Sequence, residues 1–169
     1  MCIIIDANTL PSVFDSNAAN HIEFKHVLDW INNGKGKLVY GGTKYKQELN
    51  RNYLKLFSIY SRARKAVLCN DGEVDAETKK VAAVIQHPDF DDPHLVALLR
   101  VSGCKLICSL DERAYTYFHH KSFFTPASTR PKIYKSSRNA DLLCDENIAE
   151  VCRPCLKATN EEKNILSRN

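Results

Sequence analysis

The most constraining feature of this chain is a pair of apolar runs that each end in an aspartate. Cys2-Ile3-Ile4-Ile5 is continuous, β-branched and closed by Asp6-Ala7-Asn8, and Cys104-Lys105-Leu106-Ile107-Cys108-Ser109 ends at Leu110-Asp111. Short uninterrupted apolar runs of this kind suit strands buried on both faces, which is the condition of the central strands in a parallel sheet. Lys37-Leu38-Val39-Tyr40, Ala66-Val67-Leu68-Cys69 and a short segment at Lys132 to Tyr134 supply three further strands.

Helical stretches fall between them. Phe24, Val27, Leu28 and Ile31 recur at helical spacing and predict a helix over 18–33, stopped by Gly34-Lys35-Gly36. After the turn at Gly41-Gly42, Thr43 is a fitting N-cap for a helix carrying Lys44 to Asn50, and a basic helix follows over 53–66. A helix is expected over 74–86 and broken by His87-Pro88-Asp89-Phe90, after which Asp91-Asp92-Pro93 opens a helix that runs through Leu95, Val96, Leu98 and Leu99 to Val101. One or two short helices complete the C-terminal part. Strands alternating with helices, without hairpin signals, imply an α/β fold: a three-layer α/β/α sandwich around a mostly parallel sheet. At 169 residues one core is expected, with a domain over 1–150 and a C-terminal tail over 151–169, partly flexible.

The charge is segregated. The net +4 is mild, yet between Asp29 and Asp71 nine Lys or Arg residues accompany a single acid, Glu48. From Arg113 to Arg138 six basic residues follow without an acid, interleaved with Tyr115, Tyr117, Phe118, His119, His120, Phe123, Phe124 and Tyr134. Positive charge with aromatic rings suits a phosphate backbone and stacked bases. Lys44, Lys46, Arg51, Lys121, Arg130, Lys132, Lys135 and Arg138 are the candidate RNA-binding residues. No apolar run reaches the roughly 18 residues that cross a bilayer, and the first acid comes too early for a secretory signal, so a cytoplasmic protein is expected. Seven cysteines without a regular disulfide spacing are read as reduced thiols. Cys152-Arg153-Pro154-Cys155 has the spacing of half a zinc site, which Cys144 with a histidine such as His119 or His120 would complete, but the second half is absent as a motif.

In a parallel sheet the carboxyl ends of the strands share one edge, so Asp6 and Asp111 should face a common crevice. Asp92, opening the helix that leads into the second of those strands, and Glu48, on the helix after the second strand, point to the same edge. Clustered carboxylates repel and raise one another's pKa unless a cation lies among them, and all-oxygen donors favour Mg²⁺ or Mn²⁺. Alternatives attach to individual residues. Glu48 has Lys44 and Arg51 at ion-pairing spacings on its own helix, Asp92 is also a natural N-cap, and His94 reads as a surface or packing histidine.

Ile-Ile-Asp-Ala-Asn at 4–8, Lys-Gln-Glu-Leu at 46–49, Asp-Asp-Pro-His-Leu-Val-Ala-Leu at 91–98 and Cys-Ser-Leu-Asp at 108–111 together resemble a PIN-domain nuclease over residues 1–145. The resemblance implies an α/β/α sandwich and an Mg²⁺- or Mn²⁺-dependent endoribonuclease that leaves a 5′-phosphate and a 3′-hydroxyl. Asp6, Glu48, Asp92 and Asp111 would be the metal-binding, catalytic acids, with Asp91 the alternative to Asp92. Asn8 would stand beside the first acid, and Ser109 would orient water ahead of the fourth. It further implies RNA as partner, and allows an inhibitor or antitoxin protein, a homodimer, and roles in toxin-antitoxin systems, defence or RNA processing. The competing reading is a non-catalytic RNA-binding or regulatory module on the same fold. A nucleotide-binding protein is disfavoured, because neither glycine pair has the spacing of a phosphate loop.

Overall fold

A computed structural model of the protein describes residues 2–167. Five strands form one sheet: β1 (Cys2–Ile5), β2 (Lys37–Tyr40), β3 (Ala66–Leu68), β4 (Leu106–Cys108) and β5 (Lys132–Tyr134). Their order is β3-β2-β1-β4-β5 and every pairing is parallel. Ile3 lies opposite Leu38, while Ile4 and Ile5 lie opposite Ile107 and Cys108. β1 is therefore central, and all four of its residues are buried, as its unbroken apolar run requires.

The helices are α1 (Leu10–Phe14), α2 (His21–Asn32), α3 (Thr43–Glu48), α4 (Arg51–Arg62), α5 (Asp71–Val84), α6 (Pro93–Ser102), α7 (Tyr115–Phe118) and α8 (Asn160–Leu166). From β1 to β3 the chain moves toward one sheet edge, then returns past β1 to β4 and β5. Right-handed crossovers place the connections of these two halves on opposite faces. On one face the Tyr60 hydroxyl of α4 donates to Asn32 Oδ1 of α2 at 2.7 Å, and its ring meets Phe14 of α1 edge-on at 5.6 Å. On the other, Arg100 of α6 pairs with Glu77 of α5 at 2.6 Å, and Phe90 stacks on Tyr117 and Phe123 at 4.4 and 5.6 Å. The result is the expected three-layer α/β/α sandwich.

Several boundaries shift for local reasons. Asn50 separates α3 from α4 because its side chain accepts from the amides of Asn52 and Tyr53, so the fourth helix begins two residues before the expected position. α3 is capped at Gly42, not Thr43. Gly42 has φ +85° and a Cβ there would lie 2.6 Å from Val74 Cγ1, while its amide and that of Thr43 donate to Asp71 and Asp75 of α5. Two acids of α5 thus anchor the start of the helix that carries Glu48.

The reading of all cysteines as free thiols is corrected: Cys2, opening β1, is disulfide-bonded to Cys152, with their Cα atoms 6.2 Å apart. Cys152 is fully buried in a short 3₁₀ turn over Glu150–Cys152, so the chain beyond 150 shares the core of the preceding domain. The buried ammonium of Lys65 donates to the carbonyls of Gly34 and Leu156, at 3.0 and 3.4 Å, and ties the same segment to the edge of β3. Among the described residues no helix is long and apolar enough to cross a membrane.

Candidate metal centre

The strand order reverses between β1 and β4, and a parallel sheet opens a crevice at the carboxyl end of such a switch point. Asp6 leaves β1 and Ser109 leaves β4 at that position. Asp6 is 2% exposed; its Oδ1 accepts from the Asn8 amide at 3.0 Å and its Oδ2 from the Ser109 hydroxyl at 2.8 Å. The same serine oxygen accepts from the Asp111 amide at 3.1 Å. Ser109 therefore holds the first and fourth acids in register across two strands. Asn8 contributes its backbone amide to this network, while its residue surface is exposed.

Glu48 ends α3 and Asp92 precedes α6. Asp92 makes no side-chain cap to the helix it introduces, so the N-cap role does not occupy its carboxylate. Glu48 does pair with Lys44 at 3.4 Å, as its helical spacing allows, but Lys44 engages Oε1 and leaves Oε2 to a residue the sequence reading set aside. That residue is His94, whose Nε2 lies 3.0 Å from Glu48 Oε2 and whose Nδ1 lies 3.9 Å from Asp92 Oδ1. Its side chain is 2% exposed and Nδ1 has no hydrogen-bond partner. The signal for its burial was present: His94 begins a run through Leu99 in which every residue is buried, so the helix is enclosed on all sides.

Ligand atoms of Glu48, Asp92 and His94 lie within 4.8 Å of one another, as do those of Asp91, Asp92 and Asp111. Asp92 belongs to both groups, and Asp6 adjoins them through Ser109. Asp91 is the more exposed of the adjacent pair and lies 3.6 Å from Arg113. Arg113 also grips Asp111 with two nitrogens, at 3.1 and 2.9 Å, and escaped the sequence reading as one cation within a basic stretch.

The electrostatics follow from this packing. Burial pushes the Asp6 carboxyl up against the lowering effect of the Ser109 and Asn8 hydrogen bonds. Burial, then the charges of Asp6 and Asp91, carries Asp92 up to about 7. Arg113 holds Asp111 below the usual carboxylate range. Burial pushes His94 down, opposed by Glu48. Asp6 and Asp92, acids that resist ionisation, gathered with Glu48, Asp111 and the unpartnered His94 Nδ1, are a donor set that fits a divalent cation.

The predicted RNA-binding residues divide. Arg130, Lys132 and Lys135 line a cleft of about 540 Å³ beside β5 together with Tyr115 and His119. Lys135 sits 4.5 Å over the Tyr115 ring, and the Tyr115 hydroxyl donates to the Ser109 carbonyl at 2.8 Å, so this cleft abuts the acid cluster. Lys44 stands at the rim through Glu48, whereas Lys46 is drawn to Asp71 of α5. Arg51, Lys121 and Arg138 are exposed and line no part of that cleft. The idea that the aromatics at 115–124 all offer stacking faces is corrected for Phe118, Phe123 and Phe124, which are at most 4% exposed and belong to the core, as does Tyr134. The described cysteines join neither acidic group, and Cys152 is committed to its disulfide.

Comparison of the chain with protein-family models, with curated proteins and with solved structures found no match.

Proposed function

We propose that this protein is a divalent-metal-dependent endoribonuclease with the architecture of a PIN domain. The observation that carries the reading is the convergence of Asp6, Glu48, Asp92 and Asp111 at the switch point of a parallel sheet, with the Asp92 carboxylate free of the capping role its position invites.

Asp92, with Glu48 on one side and Asp111 on the other, would hold Mg²⁺ or Mn²⁺, and Asp6 would complete the negative field. Bound there, such an ion supplies an activated water and neutralises charge on a phosphodiester undergoing in-line displacement. The chain's own residues do the rest. Ser109 fixes the orientation of Asp6 through its donated hydrogen bond and, through the Asp111 amide, the spacing between the two strand ends. Asp92 takes up a proton near neutrality when no cation is bound and releases it on binding, which limits repulsion in the empty cluster. Arg113 is placed to exchange its carboxylate partner for a substrate phosphate, since both offer two oxygens to the guanidinium fork. Lys135 and Tyr115 at the mouth of the β5 cleft offer a cation and a ring to a strand leaving the site.

The test is incubation of total cellular RNA with the protein and Mn²⁺, beside Asp6→Asn, with new 5′ ends mapped by sequencing. Wild type is expected to generate discrete ends carrying 5′-phosphates, and Asp6→Asn to lose at least about 10²-fold of that activity while still binding RNA. Equal cleavage by the two proteins, or undiminished cleavage in excess chelator, refutes the proposal.

A further inference from the structure

The sequence pattern offered an all-oxygen site, but the geometry adds a nitrogen. His94 Nε2 lies 3.0 Å from Glu48 Oε2. An ionised carboxylate only accepts, so Nε2 carries the ring proton and Nδ1 presents a bare lone pair. That lone pair is buried, receives no hydrogen bond, and faces Asp92 Oδ1 across 3.9 Å, too far for the Asp92 carboxyl to donate to it. A buried ring nitrogen left without a partner is costly in a protein interior. Metal–ligand bonds of about 2.0–2.2 Å to imidazole nitrogen and carboxylate oxygen span such a gap with one ion. A histidine that gives its other N–H to a carboxylate is also the usual arrangement of a metal-ligating imidazole, since the carboxylate fixes the ring and its tautomer.

We propose that His94 Nδ1 is itself a ligand, which makes this a mixed nitrogen–oxygen centre that selects Mn²⁺ or a later first-row ion over Mg²⁺. The inference rests on the metal-site reading above and sharpens it. Imidazole adds little affinity for hard Mg²⁺ but favours transition ions, increasingly so along the first row, so a nitrogen in the donor set turns an indifferent acidic cluster into a discriminating one. Glu48 then orients the imidazole through Oε2, while its Oε1 is the oxygen paired with Lys44.

The experiment is Mn²⁺ binding followed by electron paramagnetic resonance on the full-length protein, with Mg²⁺ as competitor. Electron spin-echo modulation reports whether a ¹⁴N nucleus is coordinated to the bound Mn²⁺. His94→Gln keeps an amide N–H for Glu48 and removes the Nδ1 lone pair; His94→Asn puts a hard oxygen near that position. Wild type is expected to show nitrogen modulation. His94→Gln should lose it and bind Mn²⁺ about 10- to 100-fold more weakly while Mg²⁺ affinity changes less than about threefold, and His94→Asn should narrow the preference between the two ions. If either variant fails to fold by circular dichroism, the wild-type modulation alone decides. Mn²⁺ bound through oxygen only, with RNA cleavage intact, overturns this inference and leaves the nuclease reading standing. Nitrogen-coordinated Mn²⁺ without cleavage of any RNA supports the inference and overturns the nuclease reading, and wild type that binds no Mn²⁺ overturns both.

Discussion

Replacing Asp92 by asparagine should make the metal-free protein more stable while disabling it. The Asp92 carboxyl is raised from 3.8 to about 7, first by burial and then by the charges of Asp6 and Asp91. A displacement of about three pH units corresponds to roughly 4 kcal/mol at about 1.4 kcal/mol per unit. The side chain is 21% exposed, and solvent at the rim screens part of the effect, which leaves about 2–4 kcal/mol. The sign follows from proton binding: with its folded pKa above the unfolded one, Asp92 keeps a proton in the folded state where the unfolded chain has lost it. Stability therefore falls as pH rises from about 4 to about 7, and the full penalty is present above that window. Asparagine has no charge to confine. In chelator at pH 8, Asp92→Asn should melt about 5–10 °C above wild type by circular dichroism, and the gap should shrink to about 2 °C or less near pH 4. Saturating Mn²⁺ closes most of the gap: at about a hundredfold excess over its dissociation constant it adds roughly 2.7 kcal/mol to wild type and much less to the variant. A variant that melts at or below wild type in chelator at pH 8, or a gap unchanged between the two pH values, refutes the claim that negative charges are crowded here.

Ser109→Ala removes the donor to buried Asp6 and the acceptor of the Asp111 amide, and should cost about 1–3 kcal/mol in urea unfolding together with about 10- to 100-fold in cleavage. A variant of unchanged stability and rate would mean the serine does not set the register of the two acids. Cys152→Ser opens a disulfide that closes 150 residues of chain, and the loop-entropy relation gives about 4–5 kcal/mol for such a closure. Wild type should accordingly melt lower in reductant, toward the variant, whereas the variant itself should be insensitive to reductant.

How legible all this was depended on whether a residue's role is set by its near neighbours in sequence. The β1 run and Asp6 were readable because a strand buried on both faces leaves a continuous apolar signature and its end is local. The same holds for β4 and Asp111, and parallel topology then brings the two acids to one edge without further information. His94 stayed open between a surface and a packing role because one histidine carries no periodic signal of its own; the apolar run Leu95 to Leu99 beside it was the available hint, and the burial of every residue from His94 to Leu99 decides for packing. The Cys2–Cys152 pairing joins positions with no shared local pattern. Phe118, Phe123 and Phe124 sit in a short helix and irregular turns, where neither a 3.6 nor a 2.0 period distinguishes inward from outward rings, so their proximity to basic residues suggested a surface they do not form.

The sheet order carries a consequence for how the molecule comes into being. Synthesis delivers the central strand before every other, yet Ile4 finds its partner on one side only at Ile107. Until that segment exists, β1 can pair with β2 alone and keeps an open backbone edge. Pairings so distant along the chain form slowly. Folding therefore brings Asp6 and Asp111 together late, and a nascent or truncated chain that stops short of Leu106 has no second wall for the crevice.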